Sequence, residues 1–129
     1  MTPSQEAAAN RVAKSTFRPC CDNSTFYQDC NHGSALYGLM QLGASQGLSD
    51  KHLYREALAF NSFWFEDNYV RTALYFAVAR GIAWRDVDPK EIMGAKYSSV
   101  SSWQSIVQAW VDRNSDLIPE SQRQAKCDA

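Results

Sequence analysis

Apolar residues recur along this chain at helical spacing, and no stretch of any length alternates as a strand would. Ser4 can cap a short alanine-rich helix over 5–14, too short to be stable without tertiary packing. An irregular stretch over 15–29 follows, carrying Pro19, two adjacent cysteines and the polar run Asp22, Asn23, Ser24 and Thr25. Asn31 reads as the N-cap of a second helix whose inner face is Ala35, Leu36, Leu39, Met40 and Gly43, stopped by Gly47. Ser49 starts a third, with Leu53, Ala57, Phe60 and Trp64 as its buried stripe and Asn61 and Ser62 interrupting it.

Glu66, Asp67 and Asn68 supply another helix start. Val70, Ala73, Leu74, Ala77 and Val78 then form an apolar face closed by Gly81. Asp88, Pro89 and Glu91 place a cap, a first-turn proline and an acid ahead of a short helix ending at Gly94. The serine-rich stretch 98–102 leads into the clearest amphipathic helix. Val100, Trp103, Ile106, Val107, Trp110 and Val111 face inward, opposite Gln104, Gln108 and Asp112, and Pro119 bounds the helix. The pattern predicts an all-α fold: a single compact domain of about five helices with an irregular Cys-rich N-terminal segment. Its parts are an arm and cysteine loop over 1–30, a helical core over 31–118 and a polar tail over 119–129.

Composition narrows the function classes. Apolar residues make up 45% of 129, enough for a packed core and too many for a disordered chain. Thirteen basic residues against 14 acids give a net charge of −1, which excludes the basic footprint of a nucleic-acid binder. No apolar run approaches the roughly 18 residues of a membrane span. The first fifteen residues hold no apolar core of a secretory signal. The expected location is cytoplasmic if this N-terminus is native and extracytoplasmic if a leader has been removed.

Reactive side chains concentrate in Cys20-Cys21-Asp22 and Cys30-Asn31-His32-Gly33. Cys30 sits at an expected helix start, where unpaired N–H groups and the helix dipole favour a thiolate. Cys30 is therefore the candidate reactive thiol and Cys20 and Cys21 candidate resolving thiols, with His32 tuning the thiol. The same Cys20, Cys21, Cys30 and His32 form a three-sulfur, one-nitrogen set suited to zinc or iron. Their spacing lacks the two-to-four-residue knuckles of structural zinc sites and the C-x-x-C runs of iron–sulfur proteins.

A structural reading of the cysteines stands beside the chemical one. Together with Cys127 the count is even, so the chain can be a disulfide-stapled extracytoplasmic domain that binds a partner or small ligand without catalysis. A bridge from Cys20 or Cys21 to Cys30 would contribute about 2.7 kcal/mol and one to Cys127 about 4.8 kcal/mol.

His52, just after the Ser49 cap, is expected in a solvated first turn. The region 60–69, with Phe60, Phe63, Trp64, Phe65 and Tyr69, holds too many rings for one stripe. Some rings must pack on the cysteine loop or around an apolar ligand, or present a surface to a protein partner. A planar cofactor such as haem finds no axial ligand beyond His32 or His52. Glu-x-x-His, His-Glu-x-x-His, P-loop and Gly-x-Ser-x-Gly signatures are absent, and Asp86 and Asp88 lack the glycine of an EF-hand loop.

Overall fold

The computed structural model describes residues 1–117, and the fold is all-α. Helix α1 (Pro3–Lys14) is opened by a reciprocal capping box two residues earlier than expected. Thr2, not Ser4, is its N-cap: Thr2 Oγ1 accepts from the Gln5 amide at 3.2 Å, and the Thr2 amide donates to Gln5 Oε1 at 2.8 Å. Its inner face of Ala9, Val12 and Ala13 packs on α2 (Asn31–Ser45).

The N-cap of helix α2 lies one residue before the expected one. Cys30 has the extended backbone of an N-cap, and its sulfur accepts the Gly33 amide at 3.3 Å, so Asn31 is the first helical residue. Leu36, Met40, Gly43 and Ala44 are buried, whereas Ala35 faces outward. A Cβ at Gly43 would lie 2.7 Å from Leu53 Cδ2, so the missing side chain is what lets α2 and α3 (Asp50–Trp64) approach closely.

Helix α3 starts at Ser49, as expected. Asn61 does not interrupt it. The residue is fully buried, and its Nδ2 donates to the Phe17 carbonyl at 2.9 Å and to Tyr69 Oη at 3.0 Å, so its amide nitrogen is spent on tertiary contacts.

Helix α4 (Glu66–Ala79) is turned relative to the expected face. Val70 and Val78 are 42% and 54% exposed, and Tyr69, Thr72 and Phe76 point inward instead. The larger rings bury more area, and the inward polar groups find partners. Trp103 Nε1 donates to Thr72 Oγ1 at 2.9 Å, and Tyr69 Oη pairs with Ser98 Oγ at 2.7 Å.

The C-terminal half is a chain of short pieces. Asp88 caps α5 (Pro89–Met93), α6 (Ala95–Ser98) follows Gly94, and α7 (Val100–Trp103) continues through a π-helical stretch, Gln104–Gln108, into α8 (Ala109–Arg113). Trp103, Val107 and Val111 are buried along this last rod, in agreement with its amphipathic pattern, while Val100, Ile106 and Trp110 are half-buried. Phe76, Ile92, Met93, Tyr97 and Val107 form the centre of the core, with the Phe76 and Tyr97 rings edge to face at 4.8 Å.

No helix of the described residues is long and apolar enough to cross a membrane. The expected boundary at Pro119, the tail and Cys127 lie outside the described residues.

Candidate metal centre

The loop between α1 and α2 positions the cysteines. Its neck is closed by the Thr25 amide donating to the Thr16 carbonyl at 2.9 Å and by an antiparallel bridge between Phe17 and Ser24. Its tip is a turn in which the Cys21 amide donates to the Arg18 carbonyl at 3.3 Å, with Pro19 at the second position, where its fixed φ suits the turn. Two contacts sew the loop to the C-terminal half. The Phe17 amide donates to the Met93 carbonyl at 2.9 Å, and the Val100 amide to the Cys21 carbonyl at 3.1 Å. Asp22 then accepts the Ser101 amide at 2.9 Å, capping the first turn of α7 from across the fold.

This framework carries Cys20 to the start of α2. The Cys20 and Cys30 sulfurs lie 3.7 Å apart, and together with a ring nitrogen of His32 they form a set of donor atoms all within 4.8 Å of one another. Two thiolates on a tetrahedral zinc with Zn–S bonds of about 2.3 Å would stand about 3.8 Å apart, so the sulfurs already span such an edge. All three side chains are partly exposed, so a dissolved ion can reach them. The His32 ring is walled by Trp64 at 5.2 Å and Phe65 at 4.9 Å between centroids. The 60–69 region thus divides: Trp64 and Phe65 serve this site, Tyr69 is buried, Phe60 is half-buried, and Phe63 is 80% exposed.

Cys21 is not brought into the triangle. Adjacent residues of a turn point apart, and its sulfur accepts from Arg18 Nη2 at 3.1 Å and reaches the Asn23 carbonyl at 3.7 Å. His52 is also remote in role, exposed and paired through Nδ1 with Ser49 Oγ at 2.8 Å, the solvated first-turn residue expected. The disulfide staple is not present among the described residues. Cys20, Cys21 and Cys30 are free thiols, and 3.7 Å is far beyond the roughly 2.05 Å of an S–S bond.

Arg18 is a residue the sequence does not single out, because a basic group tunes a thiol through nearness in space and not through a fixed spacing along the chain. Its side chain is fully buried, and Nη2 pairs with Asp29 at 2.8 Å as well as with Cys21. Gly33 leaves the room: a Cβ there would lie 3.0 Å from Arg18 Cζ. The two thiols are driven apart in acidity. Burial works to raise both, and it pushes Cys20 up to about 12 with help from the hydrogen bond and charge of Cys30. For Cys30, burial is outweighed by the Gly33 amide, the Arg18 charge and the Cys20 thiol, so its pKa falls below the ordinary value. The thiolate therefore forms first on Cys30.

Arg18→Met should slow alkylation of Cys30 by iodoacetamide several-fold at neutral pH, because less of the sulfur is thiolate once the guanidinium is gone. The gap should close as pH rises past the ordinary thiol range, where both forms ionise. Unchanged rates across that range would remove Arg18 from this role.

Comparison of the chain with known protein families, with curated proteins and with solved structures finds no match. The class of protein is therefore defined by fold and site alone: an all-α domain bearing a Cys2His group able to hold a metal ion.

Proposed function

We propose that this protein binds a thiophilic divalent metal, zinc before iron(II), through Cys20, Cys30 and His32. The observation that carries the reading is the triangle of two sulfurs and an imidazole nitrogen within 4.8 Å, with an S···S edge of 3.7 Å. Thiolate and imidazole donors together suit zinc in tetrahedral geometry. Three protein ligands among the described residues leave a fourth position, the arrangement that in reactive zinc sites takes water or an exogenous ligand. Arg18 and the Gly33 amide favour the ionised sulfur that a metal requires. The thiol-redox alternative draws on the same two sulfurs, so the two readings are linked rather than exclusive.

Equilibrium dialysis against zinc followed by elemental analysis tests the proposal. The expected result is one zinc per chain, lost in His32→Ala and kept in Cys21→Ser. Failure of the chain to retain zinc, or retention that His32→Ala does not weaken, would overturn it.

A further inference from the structure

We propose that the metal site is redox-gated: a hydroperoxide joins Cys20 to Cys30 as a disulfide, removing two of the three ligands and releasing the ion. The inference rests on the metal reading of the same site. Its own support is the geometry of the pair. The sulfurs stand 3.7 Å apart and need to close by about 1.7 Å to reach bonding distance, a movement within reach of side-chain rotation and a small shift of the turn. One sulfur is carried by a loop turn and the other by the N-cap of α2, so closure asks no helix to break. Both side chains are partly exposed, which admits a small oxidant.

The choice of partner also follows from the structure. Cys21 is engaged by Arg18 Nη2 at 3.1 Å, and a bridge between the neighbours Cys20 and Cys21 would strain disulfide geometry. Cys30 therefore has Cys20 as its partner.

The chemistry balances in two steps. The Cys30 thiolate attacks the outer peroxide oxygen; an S–O bond forms, the O–O bond breaks, and the departing alkoxide takes a proton to leave as alcohol, or as water when the oxidant is hydrogen peroxide. The Cys20 sulfur, a thiolate where it ligates the ion and a thiol in the metal-free chain, then attacks the Cys30 sulfenic sulfur. An S–S bond forms, the S–O bond breaks, and the departing hydroxide becomes water by taking a proton from solvent in the loaded chain or the Cys20 proton in the metal-free one. The two thiols together lose two electrons, and the peroxide gains them. His32 then stands as the sole remaining ligand of the set, and one imidazole does not hold an ion against a competing chelator.

The test treats the full zinc-loaded chain with one equivalent of hydrogen peroxide in the presence of a chromogenic zinc chelator, beside a metal-free sample. The gate predicts release of one zinc per chain, loss of two hydrogens in mass, and a cross-linked peptide pair containing Cys20 and Cys30. Dithiothreitol and fresh zinc should restore loading. Cys21→Ser should behave as the unaltered chain, and Cys20→Ser should stop at a sulfenic acid on Cys30 that dimedone traps. A cross-link through Cys21 or Cys127, or progress to sulfinic acid without a cross-link, overturns the pairing in either sample. A zinc-loaded chain that keeps its ion through complete oxidation overturns the gate alone. A chain that takes up no zinc overturns the metal reading and the gate together.

Discussion

Cys30→Ser should strip the metal from the protein while leaving its helices standing. The residue has two tasks that substitution separates. As a ligand, its sulfur is one of only three donors in the triangle. Disturbing an outer-shell partner already costs about 10–100-fold in metal affinity, so losing a ligand should weaken zinc by more than about a hundredfold. As the N-cap of α2, the same sulfur accepts the Gly33 amide at 3.3 Å. A serine hydroxyl does this better than a thiol, being among the preferred N-cap side chains. The variant should therefore melt no earlier than the unaltered protein and keep its far-ultraviolet circular dichroism. Competition with a chromogenic chelator reads the first effect and thermal denaturation of the metal-free chains the second. Unfolding of the variant would make Cys30 structural, and full zinc affinity would remove it from the ligand set.

Phe76→Ala should give the largest loss of stability. The ring is fully buried, packs edge to face on Tyr97 at 4.8 Å and on Tyr75 at 5.5 Å, and has the Arg80 guanidinium carbon 4.8 Å above it. Truncating a buried Phe to Ala costs about 3–5 kcal/mol through lost transfer energy and the cavity left behind. That is a large part of the roughly 5–15 kcal/mol that holds a domain of ordinary stability. Val78→Ala is the informative contrast, because apolar periodicity places Val78 inside whereas it is 54% exposed. It should change stability by less than about 0.5 kcal/mol. Urea unfolding of the two variants measures both numbers. A costly Val78→Ala with a mild Phe76→Ala would mean that α4 is turned the other way.

These outcomes mark where the sequence is legible. Helix starts and stops with local signals were readable: Ser49, the Asp88-Pro89 pair and Gly94 each act on neighbouring backbone, so the information is in adjacent letters. The Cys30 cap was displaced by one residue because Asn31 is the commoner capping side chain, and only the backbone shows that the sulfur takes the amide. The face of α4 departs from its apolar pattern for a different reason. Periodicity counts apolar positions alone, whereas Thr72 and Tyr69 are drawn inward by Trp103 and Ser98, partners about thirty residues away.

The candidate site divides in the same way. Cys20, Cys30 and His32 are legible from their types and their nearness in sequence. Cys21 offers the same type and nearness, yet the turn at Arg18–Cys21 sends its sulfur to Arg18 instead. Arg18 itself, with Gly33 making room for it, was hidden because a buried cation is recognised by its surroundings. The aromatic excess at 60–69 was legible as a surplus. Its use by Trp64 and Phe65 against His32 was visible only in three dimensions.

X-ray absorption at the zinc edge of the loaded protein examines the coordination directly. Two sulfur neighbours at about 2.3 Å, with nitrogen or oxygen neighbours at about 2.0–2.1 Å completing a four-coordinate shell, is the predicted result. A first shell made only of nitrogen and oxygen, with no sulfur contribution, would contradict a centre built on Cys20, Cys30 and His32.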